Sequence, residues 1–344
     1  MVNNVLKDLI KASDNEYASV VEDGIVGSSS TFFDTGSYVL NALVSGSIYG
    51  GLPSKITVMA GEEAVGKTFI TLSVVKKFLD ENSKNIVLYF ESESAFNEDM
   101  LKNRGIDSKR FSVFPVATIE EFRTQAMRIL NSIEASDPRK DDGSKIMMCL
   151  DSLGSLSTNK EVTDIGEGSD KRDMTRSQLV RGAFRALTLK LGKLDIPLIV
   201  TNHVYDVIGS YFPQKELAGG GGIKYAASTI VTFRKKKDKD GTDVVGITIP
   251  TKLLKSRFTK ENQEVEFKLN YTSGLDRYFG LLDIAEKYGI FKKSGTRFEM
   301  PDGSKVFGKS INNEPEKYYT EEILQQINDC CKKEFLYGTL SDEH

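Results

Sequence analysis

The sequence predicts an α/β protein built on a twisted, mainly parallel sheet, and three observations carry that prediction. Short apolar runs alternate with helical patterns from about residue 31 to residue 275, the order expected of parallel strands joined by crossover helices. One of those runs, Ile56-Thr57-Val58-Met59-Ala60, leads straight into Gly61-Glu62-Glu63-Ala64-Val65-Gly66-Lys67-Thr68. That octapeptide is a glycine, four residues, then Gly-Lys-Thr, the pattern of a phosphate loop. A third run, Ile146-Met147-Met148-Cys149-Leu150, ends in Asp151, as does the strand that lies beside such a loop.

The elements follow in order. Residues 5–13 form one short amphipathic helix, too small to be a domain, and residues 24–30 read as a linker. Strands are expected at 55–60, 85–90, 111–116, 146–151, 197–201, 228–234, 244–251 and 264–270. The run that starts at Phe69 has apolar residues at helical spacing and forms the helix after the phosphate loop. Two long polar stretches, 157–174 and 204–219, each follow a strand end. They are expected as loops without regular structure, on the side where such sheets bind ligands. Residues 235–240 read as a basic-acidic turn. After Gly274 come residues 281–289, a hairpin-like stretch and a helix over 320–335, expected together as a separate small α+β C-terminal domain over 276–344. The expected divisions are thus 1–30, 31–275 and 276–344.

Composition narrows the class. With 344 residues, 39% hydrophobic and 28% charged, the chain suits one large soluble unit plus a smaller one. No apolar run approaches the roughly 20 residues that span a bilayer, and the N-terminus does not read as a secretory leader. Three cysteines, Cys149, Cys330 and Cys331, suit free thiols in a reducing cytoplasm and have no metal-ligand spacing. The net charge of −3 gives no whole-chain support for nucleic-acid binding, which must come from local patches.

The phosphate loop states a chemistry. Its backbone N–H groups and the helix N-terminus face an anion. Gly61, Glu62, Ala64, Val65, Gly66, Lys67, Thr68 and Phe69 are therefore expected around a nucleoside triphosphate. Lys67 would reach the β- and γ-phosphates, and the Thr68 hydroxyl would hold Mg²⁺. Asp151 would orient the metal through water, although a strand-end Asp is also an ordinary helix cap. Hydrolysis needs a group that positions the attacking water. Both Glu91 and Glu93 follow the second strand, and spacing does not separate them. His203, one of two histidines, ends another strand beside Asn202. It suits either a γ-phosphate sensor or a structural role. The run from Gly219 to Gly222 gives the second polar stretch a hinge or a bland turn.

The order of these motifs resembles that of the RecA-type strand-exchange recombinases. The phosphate loop, Glu91-Ser92-Glu93, Asp151-Ser152-Leu153, Asn202-His203, the glycine run with Lys224-Tyr225, and Lys255-Ser256-Arg257 occur in the same register. The bacteriophage UvsX branch is nearest in motif order, and Leu9-Ile10-Lys11-Ala12-Ser13 is also similar to it. The resemblance runs from the N-terminus to about residue 290 and implies a RecA-like ATPase core with ATP and Mg²⁺. It implies that Glu93 is the catalytic glutamate, Asp151 the metal-orienting aspartate and His203 the γ-phosphate sensor. Lys255 and Arg257 match cations that reach the ATP of the neighbouring subunit, acting as trans fingers.

The same resemblance makes the two polar stretches DNA-binding loops. Arg172, Arg176, Arg181 and Arg185 would contact phosphates, and Ile208, Tyr211 and Phe212 would wedge between or stack on bases. Glu161, Asp164, Glu167, Asp170 and Asp173 in the first stretch weaken its electrostatic case. The implied partners are single- and double-stranded DNA, further copies of this chain in a helical filament joined through residues 1–30, and single-strand-binding and loader proteins. No membrane is implied. Two departures stand out. The family's aromatic stacker on adenine is replaced near Met100, which leaves that contact to Tyr271. No long acidic C-terminal tail is present, so autoinhibition by one is not expected. A ring-forming helicase on the same core and a non-exchanging DNA-binding paralogue are the competing readings.

Overall fold

A parallel block forms the centre of the protein because its strands are buried on both faces and joined by helices. The structure, a computed structural model, describes residues 4–15, 18–23, 31–168, 174–206, 215–218, 220–240 and 243–338. Its main sheet has eleven strands: β1 Ile56–Gly61, β2 Ile86–Glu91, β3 Phe111–Pro115, β4 Ile146–Asp151, β5 Leu198–Asp206, β6 Lys215–Leu217, β7 Thr229–Phe233, β8 Lys236–Asp240, β9 Asp243–Ser256, β10 Glu264–Asn270 and β11 Gly274–Leu275. Parallel pairing runs in the order β3-β2-β4-β5-β1-β7. From β7 the sheet continues antiparallel through β9, β10 and β11. These later strands are linked by short turns, and short turns cannot make the crossover that a parallel neighbour needs.

Alternate residues of each central strand serve two different cores. In β4, Ile146, Met148 and Leu150 pack in one buried cluster while Met147 and Cys149 pack in the other. Helix α1, Asn4–Ala12, has no buried residue. The next helices in the chain are α2 Tyr38–Ser45, α3 Lys67–Glu81, α4 Glu98–Lys102, α5 Ile119–Ala135, α6 Asn159–Gly166, α7 Arg176–Lys193 and α8 Gly222–Ala226. Helices α2 and α3 cover one face of the sheet, and α5 and α7 cover the other. Helix α5 starts on a capping box in which the Thr118 hydroxyl and the Glu121 carboxylate each accept a backbone N–H.

The expected α/β class holds, and all eight expected strands are present. Three local expectations change. Residues 157–174 were expected without regular structure, yet α6 lies within them. Thr158 and Glu161 form a capping box there, a signal carried by the sequence as Thr-Asn-Lys-Glu. Residues 235–240 hold strand β8 paired with β9, where a turn was expected. Within 204–219, β5 and β6 pair as antiparallel strands. The linker expected at 24–30 lies outside the described residues.

The segment after residue 276 contains the helix Leu281–Lys287, a three-stranded antiparallel sheet and the helix Glu321–Phe335. Leu281, Phe291, Ile327 and Phe335 join the same buried cluster as Val39 and Phe78. The buried side chains of this segment extend the core on the α2 side.

Candidate nucleotide site and basic cleft

Strand β1 ends in a loop that needs glycine at two positions, one for space and one for backbone conformation. A Cβ on Gly61 would meet Val65 Cγ1 at 2.7 Å and the Phe233 carbonyl oxygen at 3.1 Å. Gly66 has φ +91°, a conformation that favours glycine. Helix α3 then starts at Lys67, and its unpaired first-turn N–H groups surround the loop mouth. Lys67 is buried and donates to the carbonyls of Gly61 at 3.1 Å and Glu62 at 2.9 Å. Burial lowers its pKa, against the opposing pull of Asp151, Glu93 and Glu63. Thr68, Phe69, Glu93, Met100, Asp151, Ser155 and His203 line the same cleft, of about 510 Å³.

The two glutamates after β2 have different surroundings. The Glu91 carboxylate is buried and accepts the backbone N–H groups of Glu93 and Ser94 at 2.9 Å and of Ala95 at 3.2 Å. It holds the turn. Glu93 faces the cleft, where its Oε1 accepts the hydroxyls of Ser152 at 2.7 Å and Ser155 at 2.8 Å. Burial opposes its ionisation, but those two hydroxyls and the His203 ring hold its pKa below the ordinary value. Asp151 is buried at the end of β4 and accepts the Tyr89 hydroxyl at 2.5 Å and the Thr201 hydroxyl.

His203 connects these groups. It pairs with Gly61 across the β1–β5 ladder. Its Nδ1 lies 3.4 Å from Lys67 Nζ and its Nε2 lies 3.7 Å from Glu93 Oε1. An ammonium only donates, so this contact makes Nδ1 the acceptor and leaves the Nε2 proton facing Glu93. Gly154 makes the placement possible, since a Cβ there would stand 2.7 Å from His203 Cδ2. The Asn202 side chain accepts the His203 N–H at 2.9 Å and donates to the Ala218 carbonyl at 3.0 Å.

Lys255 and Arg257 do not line this cleft. The Lys255 ammonium donates to the Lys224 carbonyl at 2.5 Å and the Tyr225 carbonyl at 3.4 Å. Its pKa is lowered by burial first and by Arg257 second. Arg257 belongs to a second cleft, of about 660 Å³, with Lys55, Arg181, Arg185, Leu189 and Tyr225. The Arg181 guanidinium lies over the Tyr225 ring at 4.8 Å. Arg176 is instead tied inward, donating to the Gly154 carbonyl at 3.1 Å and to Glu161 at 3.4 Å. Arg172, Ile208, Tyr211 and Phe212 lie outside the described residues. Tyr271 lines a third cleft, of about 730 Å³, which shares Phe69 and Arg104 with the phosphate-loop cleft.

A phosphate loop with Asp151 and Glu93 beside it, backed by a β3-β2-β4-β5-β1-β7 parallel block, narrows the candidates to a few families. The model of the RecA N-terminal domain matches residues 13–276. The chain belongs to the RecA family. Among its RecA-family relatives, the "Recombination and repair protein" of Enterobacteria phage T4 is 30% identical over 255 residues, covering 74% of this chain and 63% of that protein. The "Protein RecA" of Clavibacter michiganensis subsp. michiganensis is 28% identical over 301 residues, covering 85% of this chain and 78% of the relative. The "Protein RecA" of Paenarthrobacter aurescens is 27% identical over 312 residues, covering 90% and 85%. The chain therefore spans less than two thirds of the length of the phage relative.

Several site residues of this RecA-family chain escaped sequence reasoning. Ser152 enters only as part of the Asp151-Ser152-Leu153 motif, with no role, and Ser155 not at all, until the fold turns both hydroxyls to Glu93. Tyr89 and Thr201 sit inside apolar runs and read only as strand formers. Gly154 completes the Asp-Ser-Leu-Gly motif, but its contact with His203, distant in sequence, carries no local signal. Arg104, at the junction of two clefts, stands in a polar helix end with no motif around it.

Proposed function

We propose that this chain is a DNA-dependent ATPase that polymerises on single-stranded DNA and catalyses homologous pairing and strand exchange. One observation carries the reading. The cleft that would hold ATP gathers Lys67, Thr68, Glu93, Asp151 and His203, while Arg257 lines a different cleft and Lys255 is tied to the Lys224 carbonyl outside it. A complete site then needs a second copy of the chain.

In this reading the N–H groups of the phosphate loop and Lys67 bind the β- and γ-phosphates. Glu93, held ionised by Ser152 and Ser155, orients the water that attacks the γ-phosphate and accepts its proton. The residues present fit Mg²⁺. Asp151 has both oxygens engaged by hydroxyls, which suits a contact through water, and Thr68 lines the cleft beside it. Among the described residues no group of three His, Cys, Asp or Glu could hold a metal ion alone. Phosphate oxygens and water would complete the sphere, as Mg²⁺ prefers. When bound, the ion neutralises charge on the triphosphate.

Three further features support assembly and DNA binding. Helix α1 exposes Val5, Leu6 and Leu9, an apolar stripe suited to a neighbouring copy. The basic cleft places Arg181 and Arg185 beside the Tyr225 ring, a combination of phosphate and stacking contacts that needs no base sequence. Asn202 and His203 bond to Ala218, at the end of the second polar stretch, which gives the γ-phosphate region a route to that stretch. The test is joint-molecule formation between single-stranded DNA and homologous duplex. Product that depends on ATP and on homology is expected; no product at salt low enough for DNA binding would overturn the reading.

A further inference from the structure

Arg104 lines both the phosphate-loop cleft and the larger cleft that contains Tyr271, and among the described residues only Phe69 does so with it. Its guanidinium lies over the Phe69 ring at 4.1 Å. Its Nη1 donates to the Met100 carbonyl at 2.9 Å, and its Nε is buried without a hydrogen-bond partner among the described residues. Burial lowers its pKa from the ordinary value, and an arginine so shifted remains a cation.

These contacts fix a plane. One face of the guanidinium rests on Phe69 and the Met100 carbonyl stops its rotation. Among the described residues the guanidinium has no second ring and no ion-pair partner, so its other face can take a flat group, as guanidinium stacks on aromatic rings and on nucleobases. A triphosphate seated on Lys67 extends its base along a cleft whose wall includes Phe69, Met100 and Arg104. The adjoining cleft of about 730 Å³ is entered past Phe69 and Arg104 and has Tyr271 in its wall. A phosphate role for Arg104 is less suitable, since Lys67 and the loop N–H groups already serve the phosphates and its Nη1 is held by the Met100 carbonyl.

Resting on the ATPase reading above, we propose that Arg104 recognises the nucleobase of the bound triphosphate, with Phe69 as its backing and the base stacked on its outer face. The effect is confined to the base and does not extend to the phosphates.

The test compares binding of Mg²⁺-ATP and of Mg²⁺-tripolyphosphate, which has no base, to the full chain by calorimetry. Arg104→Ala is expected to weaken ATP binding about tenfold, the size of a partly desolvated cation–π contact, and tripolyphosphate binding less than about twofold. Arg104→Lys keeps the charge and a donor for Met100 but has no plane. It is expected to behave like Arg104→Ala, and it keeps the test sound should the alanine variant fold poorly. Equal weakening of both ligands, or unchanged ATP binding in both variants, would overturn the proposal. Wild-type protein that bound neither ligand would instead count against the phosphate-loop reading itself.

Discussion

The backbone carbonyl of His203 accepts the N–H of Ala218 at 2.9 Å, while the ring of the same residue stands 3.4 Å from Lys67 Nζ. One residue therefore touches both the phosphate-loop lysine and the end of the second polar stretch. If this is the route by which nucleotide state reaches the stretch, the ring is needed for coupling and not for binding. His203→Ala should bind ATP within about threefold of wild type but lose most of the stimulation of hydrolysis by single-stranded DNA. Parallel titrations of nucleotide binding and of DNA-stimulated turnover check this. Stimulation that survived the substitution would remove His203 from the coupling route.

Gly154 sets that ring position, so its substitution should act at a distance in sequence. A methyl group at 154 would stand 2.7 Å from His203 Cδ2, closer than packed atoms tolerate, and one of the two must move. Gly154→Ala should therefore reproduce the coupling defect of His203→Ala. It should also destabilise the fold by about 1–3 kcal/mol, as overpacking does. Denaturant unfolding and DNA-stimulated turnover, measured together, separate the two effects.

Glu93 and Glu91 should part company on mutation. Glu93→Gln keeps an acceptor for Ser152 and Ser155 but cannot take a proton, so turnover should fall about 10²- to 10⁴-fold with ATP binding retained. Glu91→Gln weakens three backbone hydrogen bonds to the turn. It should lower stability and affect turnover only through the misplaced turn. Unchanged turnover in Glu93→Gln would reverse the assignment of the catalytic glutamate.

The acid limb of the pH profile reports on the same carboxylate. Burial raises the Glu93 pKa, and the Ser152 and Ser155 hydroxyls with His203 more than offset it. The folded value is depressed, so the carboxylate persists below the ordinary range and activity is lost only as pH falls through the lowered value. The linked contribution to stability has the same sign: it is present above the ordinary value and lost on acidification through the lowered one. Ser152→Ala with Ser155→Ala removes two donors, so the acid limb of turnover should move to higher pH. A limb that stayed in place would assign it to another group.

Much of the fold was legible because its strongest signals are local. Buried strands such as Ile146–Asp151 read as unbroken apolar runs, and the phosphate loop has a fixed spacing. The antiparallel extension was less legible, since Asp243–Ser256 mixes polar and apolar residues along its length. Helix Asn159–Gly166 was missed although its capping box was written in the sequence, because two apolar residues, Val162 and Ile165, are too few to mark a buried helical face. In the site, residues whose motif carries a chemical role were found, and roles that come from a long-range contact were not, even inside the Asp151-Ser152-Leu153 motif. Ser152, Ser155 and Gly154 gain their meaning only once β2, β4 and β5 lie side by side.

Lys255 provides the last prediction. Its ammonium is held by the carbonyls of Lys224 and Tyr225, away from the cleft that contains Lys67. If it serves the ATP of a neighbouring copy, two defective chains should repair one another. Glu93→Gln lacks its own glutamate but has an intact Lys255, and Lys255→Ala has the reverse defect. In a mixed polymer, an interface that joins the glutamate of the second variant to the lysine of the first is complete. Equal mixing places such an interface at about one junction in four by random assembly, so turnover near a quarter of the wild-type value is expected where each variant alone is nearly inactive. Light scattering on single-stranded DNA establishes that both variants enter the polymer. Mixed polymers that assemble and remain inactive would show that Lys255 acts within its own chain, and a Lys255→Ala variant active alone would show that it has no part in hydrolysis.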